Sequence, residues 1–359
     1  MRYPNLTIDT AGILKNKKTL ESLCEANGIS VSVVTKGTVG YEPIVRLMVE
    51  NGAKSICEAR IVNLIKFAEY YEENGIEKWL IRSPLLSEAE DTVRYSDVSL
   101  NTEACVIEAL SAEAVKLGRM HKVVIMLELG ELREGCMPDE LLPLCSLCTV
   151  LPGVELYGIG TNLSCINDIV PGVENMTALA DTAREVEEAL SVKLQVVSGG
   201  GSSTLRLLED GLMPKGINHL RLGEGIFIGN ITCHNEPFRD ALIDNFIINA
   251  EIIELKEKPS LPYGPRPRGL RAPADSGEFV DKGIRKRAIV ALGKQDVHAS
   301  DLTPLDPGIE ILGDSSDCFI ADVTDSLEDY KVGDVVKFRP NDSGRVSLMV
   351  SEHIPKILI

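Results

Sequence analysis

The chain has little basic charge and few aromatics. Lys and Arg number 37 against 54 Asp and Glu, a net charge of −17, and aromatics make up 4% of residues. It therefore lacks the basic footprint that nucleic acid or an anionic membrane requires, while its acidic field tolerates a small cation. No stretch approaches the roughly 18 uncharged apolar residues of a membrane helix. The start, Met1-Arg2-Tyr3-Pro4-Asn5, has no signal-peptide core, so a cytoplasmic protein is expected. Nine cysteines lack metal-ligand pairing, and Cys145-Ser146-Leu147-Cys148, without a second such pair, reads as two buried thiols. No metal site is expected. What is present, 44% hydrophobic and 25% charged residues over 359 positions, suits a globular chain long enough for two domains.

From residue 29 to about 225 one unit repeats: an apolar or β-branched run, a turn, then an amphipathic stretch. The runs are 29–35, 55–57, 78–81, 97–100, 123–127, 154–158, 194–197 and 219–222, eight in all. Strands alternating with helices imply a parallel sheet, and eight such units imply a closed (β/α)8 TIM barrel. The predicted division is a barrel over 1–230 and a smaller β-rich C-terminal domain over 231–359, with strands at 246–255 and 287–292.

In such a barrel the active site lies at the C-terminal ends of the strands. Reading those ends in order gives Lys36, Arg82, Asn101, Glu128 with Arg133, Thr161 with Asn162, Ser198, and Arg221 with Glu224. A lysine that closes a buried strand and opens onto Gly37-Thr38-Val39-Gly40 has two readings. It snorkels to water, or it is desolvated enough to act as a nucleophile and form a Schiff base. The loops after the last two strands favour the second. Ser198-Gly199-Gly200-Gly201-Ser202-Ser203-Thr204 and Arg221-Leu222-Gly223-Glu224-Gly225 offer approachable amides and hydroxyls where barrels of this kind hold a phosphate. A lysine facing a phosphate cradle suits pyridoxal phosphate, and it equally suits a Schiff-base aldolase with a phosphorylated substrate.

The motifs resemble those of the pyridoxal-phosphate-dependent alanine racemase fold family. Val33-Val34-Thr35-Lys36 resembles its Val-Val-Lys, and the 220–229 segment resembles its Arg-x-Gly…Tyr-Gly. Glu128-Leu129-Gly130-Glu131-Leu132-Arg133-Glu134-Gly135 is similar to its Asp-x-Gly-x-x-Arg-x-Gly. The stretch 302–317, with Gly293-Lys294-Gln295-Asp296-Val297 and 254–260, looks most like the ornithine racemase branch. The resemblance implies an isomerase of amino-acid metabolism, a homodimer with shared active sites that interconverts L- and D-ornithine. It makes Lys36 the Schiff base and places Arg221 against the pyridine nitrogen, with Gly223 and Glu224 on the phosphate beside Gly201, Ser202 and Ser203. Arg133 then meets the substrate carboxylate or the cofactor hydroxyl, and Asn162 stands where a histidine usually stacks on the ring.

Three departures follow from the same comparison. The family's second catalytic base, a tyrosine, is absent from the 293–297 segment, Met126 stands in place of a carbamylated lysine, and Cys318 stands in place of a histidine. Lys36 serves one face of the substrate α-carbon, so the other face needs a group from the C-terminal domain, Asp296 or His298 before Lys294, Asp317 or Cys318. For a distal ammonium the first carboxylate is Asp317, beside Ser316, with Asp275, Glu278 and Asp281 as alternatives. The Pro- and Arg-rich stretch 262–269 reads as a mobile loop. Other readings are a racemase of alanine, lysine or serine, a pyridoxal-phosphate lyase such as a D-threonine aldolase, and a non-enzymatic cofactor-binding barrel.

Overall fold

The computed structural model describes residues 2–234, 236–264 and 281–359. Residues 265–269 of the expected mobile loop, together with Asp275 and Glu278, lie outside the described residues. The chain divides into two compact units, one spanning Thr10–Asn245 and the other combining the segment through Asp9 with Phe246–Ile359.

After a first strand, β1 (Asn5–Ile8), come β2 (Ser30–Val34), β3 (Ser55–Glu58), β4 (Glu77–Leu80) and β5 (Val98–Asn101). They are followed by β6 (His121–Met126), β7 (Val154–Gly160), β8 (Val196–Ser198) and β9 (His219–Leu222). Strands β2 to β9 are parallel neighbours that close on themselves, with Ser32 of β2 opposite Arg221 of β9. The eight predicted runs are these eight strands. Residues Val123 to Met126 of β6 are all buried, as expected of a strand covered on both faces. The interior packs Val34, Cys57, Trp79, Leu100, Val124, Met126 and Val196. A larger outer layer sets Val123, Ile125 and Ile159 against helices such as Ala104–Leu117 and Val173–Leu190.

The two compact units divide the chain differently from the expected 230/231 boundary in two places. Residues 231–245 stay with the barrel because β10 (Asn230–Ile231) pairs with β11 (Glu236–Pro237). Asn245 Nδ2 donates to Phe227 O at 3.0 Å, and Leu242 N donates to Asn16 Oδ1 at 2.8 Å. The first strand leaves the barrel because β1 pairs antiparallel with β12 (Phe246–Pro259).

The second unit continues with β13 (Ile284–Val290), β14 (Leu302–Pro304), β15 (Glu310–Asp314), β16 (Phe319–Asp322), β17 (Val335–Pro340) and β18 (Lys356–Leu358). The strand order is β14-β17-β12-β13-β16-β15, with β1 between β12 and β18. β12, at 14 residues, runs four residues past the strand expected over 246–255. It bulges between Ile252 and Glu254, pairing β17 before the bulge and β13 mainly after it. Its alternate residues Phe246, Ile248, Ala250 and Ile252 are buried with Phe319 and Phe338, whose rings meet edge to face at 6.2 Å.

Candidate active site

Lys36 stands at the C-terminal end of β2, in a single 3-10 turn, Lys36–Thr38, with its side chain exposed. Val39 follows in the left-handed region, φ 48°, a conformation that costs a β-branched residue about 1–3 kcal/mol and persists only where neighbours enforce it. The neighbours are present. Val39 N donates to Lys36 O at 3.1 Å, and Lys66 Nζ donates to Gly40 O at 3.2 Å. Thr35 Oγ1 donates to Glu58 Oε1, while Asn63 Nδ2 donates to Glu58 Oε2 at 3.0 Å. Burial pushes the Glu58 carboxyl above its usual range, against those bonds and the nearby Lys36 charge. The sequence reading passed over Glu58; as a carboxylate directly after the buried Ile56-Cys57 at the strand end it carried a signal.

Arg221, on β9, is 5% exposed. Its Nη1 donates to Ser198 Oγ on β8, and its Nη2 donates to Thr161 O at 2.9 Å. Burial lowers its pKa from the ordinary guanidinium value. An arginine starts so high that it still carries its charge at neutral pH. Among the described residues no carboxylate forms an ion pair with it. Beyond β8, Ser202 Oγ accepts from Gly225 N at 2.9 Å, which ties the two glycine-bearing loops together. Ser203 Oγ donates to Leu163 O at 3.2 Å, and Gly201 N and Gly223 lie at the starts of the short helical turns Ser202–Thr204 and Glu224–Ile228. The Glu224 carboxylate accepts from Asn230 Nδ2 at 2.7 Å and Thr232 Oγ1 at 2.6 Å.

The loops after β6 and β7 meet through a residue that sequence reasoning did not single out. Glu131, 1% exposed, accepts from the backbone N–H groups of Ser164, Cys165, Ile166, Asn167 and Ile169. Burial alone would raise its pKa, but these amides outweigh burial and hold it at about 2. Nothing local marks Glu131, since its partners lie 33 to 38 positions away. Gly135 closes the same loop at φ 147°, where a Cβ would stand 2.6 Å from Glu128 N. Between these anchors Arg133 forks onto Glu134, and Asn162 Nδ2 lies 3.5 Å from Glu134 Oε1. Lys36, Arg133, Asn162, Ser198, Gly201, Ser202, Ser203, Arg221, Gly223 and Glu224 all belong to the barrel unit.

Asp296, His298, Ser316 and Asp317 belong to the other unit and form a cluster of their own. Lys294 N donates to Ser315 O and Gln295 N donates to Ser316 O, both at 3.0 Å, so the 293–298 and 314–318 loops run together. Gly293 permits this approach, as a Cβ there would stand 2.5 Å from Asp317 N. Asp296 Oδ1 accepts from Ser351 Oγ at 3.1 Å. His298, with a side chain 62% exposed, has its Nδ1 3.7 Å from Asp314 Oδ2, whose carboxylate also pairs with Lys294 at 3.3 Å. Asp317 is exposed and accepts from Ser315 Oγ at 3.0 Å. Asp281 instead caps a turn, taking Ser260 Oγ at 2.9 Å and Gly283 N at 2.8 Å.

Comparison with known proteins gives the same architecture and more. Residues 8–230 match the family model described as alanine racemase, N-terminal domain. The chain is 38% identical over 358 residues to an ornithine racemase of Acetoanaerobium sticklandii, covering 99% of this chain and 100% of that one. It is 35% identical over 359 residues to a lysine racemase of Thermotoga maritima, covering 99% of each. An alanine racemase crystal structure from Bartonella henselae, with covalently bound pyridoxal phosphate, superposes with a TM-score of 0.76 at 17% identity, over 100% of both chains.

Proposed function

Because the chain belongs to the alanine racemase family, we propose that it is a pyridoxal-phosphate-dependent racemase of a basic amino acid, ornithine before lysine. The observation that carries the reading is Arg221, a buried cation that donates to a hydroxyl and a carbonyl. Such a donor suits a neutral acceptor like a pyridine nitrogen. The surrounding donor set fits the same cofactor. Lys36 Nζ would take the aldehyde, Asn162 would lie by the ring, and Ser198 would hold Arg221 to the nitrogen. Gly201, Ser202, Ser203, Gly223 and Glu224 would receive the phosphate, chiefly through backbone amides and the Ser202 hydroxyl, since Ser203 Oγ donates to Leu163 O.

When bound, the cofactor supplies an electron sink that acidifies the substrate Cα–H. Arg221 keeps its own proton, so the sink stays moderate and return of a proton to Cα is favoured over transfer to the cofactor. Lys36 Nζ takes or gives that proton on one face. Arg133, held by Glu134, meets the substrate carboxylate. On the other face we assign the proton to Asp296 or His298 of a partner subunit in a homodimer, with Ser316 and Asp317 receiving the distal ammonium. No helix among the described residues is long and apolar enough to cross a membrane, and we read the enzyme as cytoplasmic.

Cα–H exchange in deuterated water, followed by chiral analysis across a panel of L-amino acids, tests this. Fastest exchange with ornithine and appearance of the D-enantiomer is the expected result. Exchange with none overturns it, and release of an aldehyde from a β-hydroxy amino acid points to a lyase instead. Faster exchange with alanine, serine or lysine moves the substrate within the racemases.

A further inference from the structure

Within the barrel, beside the apolar cluster, runs a file of hydrogen bonds. Ser55 Oγ lies 2.6 Å from Ser32 Oγ, which lies 2.8 Å from His219 Nε2. His219 Nδ1 lies 2.9 Å from Ser198 Oγ, and Ser198 Oγ accepts from Arg221 Nη1. The file begins at Ser55, in the wall of a cavity of ≈ 560 Å³ whose lining also includes Lys54, Glu77 and Tyr157. It ends at the guanidinium beneath the rim. His219 sits two residues before Arg221 on β9, so the strand pleat points both side chains inward.

One order of donors leaves the Ser198 hydrogen with an acceptor. Ser198 Oγ accepts from Arg221, so its own hydrogen must go elsewhere, and among the described residues its other partner is His219 Nδ1. That nitrogen is therefore the acceptor. A neutral imidazole then carries its hydrogen on Nε2 and donates to Ser32, which is hydrogen-bonded in turn to Ser55. Burial, with the Arg221 charge added, lowers His219 to about 3, which keeps the ring neutral. The ring is also clamped. Trp79 stacks on it at 4.7 Å and 15°, and Trp79 Nε1 is fixed by Glu77 Oε2 at 2.8 Å.

We propose that His219 is a positioning residue: by taking the Ser198 hydrogen it turns the Ser198 lone pair to Arg221 and fixes the guanidinium where the cofactor nitrogen is met. A neutral ring does this without neutralising the arginine, which a carboxylate at the same place would do. The consequence for catalysis rests on the racemase reading above; the hydrogen-bond order does not.

The test has three arms. In the holoenzyme, ¹⁵N NMR of the imidazoles, with the His219 signal identified by its loss in His219→Phe, is expected to show hydrogen on Nε2 and no titration between pH 5 and 9. Hydrogen on Nδ1, or titration in that window, overturns the proposal. His219→Phe keeps a ring on Trp79 and deletes both hydrogen bonds. Titrating its apo form with pyridoxal phosphate is expected to show about tenfold weaker binding, with kcat down about 10- to 100-fold and KM within twofold. Ser198→Ala cuts the file one step later, so the double variant is expected to lose no more than either single one. Additive losses, or unchanged cofactor affinity in His219→Phe, overturn the proposal. If the wild type exchanges Cα–H in no amino acid, the racemase reading falls while the NMR and cofactor-binding arms still decide the role of His219.

Discussion

The two clusters of candidate residues are held in opposite ways. In the barrel unit Lys36 is exposed, but Arg221, Glu131 and Glu58 around it are buried and fixed by hydrogen bonds to neutral partners: Arg221 to Ser198 and Thr161, Glu131 to five amides, Glu58 to Thr35 and Asn63. In the other unit, Lys294, His298 and Asp317 stand in solvent, and Asp314 pairs with Lys294 at 3.3 Å and lies 3.7 Å from His298 Nδ1. Exposed pairs of that kind contribute about 0–1 kcal/mol and hold nothing firmly. Buried groups with satisfied partners give a prearranged receptor, which suits a resident cofactor. Exposed carboxylates and an exposed imidazole suit groups that act only once something covers them.

Five substitutions sharpen or break that contrast. Lys36→Ala should lower racemisation by more than about a thousandfold while the protein folds and binds pyridoxal phosphate without the imine absorbance, read by spectrophotometry. Retained activity would remove the barrel cluster from the chemistry. Of Asp296→Asn and His298→Asn, one should lose about a hundredfold in kcat with thermal stability unchanged, as expected of an exposed proton donor. Similar small losses in both would return that proton to another residue.

Glu131→Gln should cost about 2–3 kcal/mol of stability at pH 7, measured by denaturant unfolding, because its pKa is about 2 when folded and about 4.3 when unfolded. A depressed folded value means that this stabilisation is present above the unfolded pKa. It is lost as pH falls from about 4 towards 2, and the wild type and variant should converge there. The smallest effect belongs to Asp317→Asn, which should reduce turnover of ornithine about tenfold and that of an uncharged amino acid hardly at all. Equal losses would make Asp317 part of the loop scaffold.

What the sequence revealed follows from the range of each interaction. The eight barrel strands were legible because each is a short local run of β-branched and apolar residues. Lys36 and Arg221 were legible because strand ends define the rim. Glu131 was invisible because its role is created by amides from another loop. His219 lay in plain view within the last strand run, and its place on the same face as Arg221 was the available signal; its partners Ser32 and Ser198 come from other strands. The domain boundary moved because the partner of β1 lies some 240 residues further on, and no local pattern announces such a pairing.

That pairing also orders the making of the protein. β1 lies between β12 and β18, with Leu6 opposite both Ile248 and Lys356. The strand at Asn5–Ile8 therefore waits for residues 356–358 to complete its pairing, while the whole barrel unit, Thr10–Asn245, is synthesised in between. A nascent chain stopped before β18 leaves the side of β1 away from β12 unpaired, an edge open to other strands.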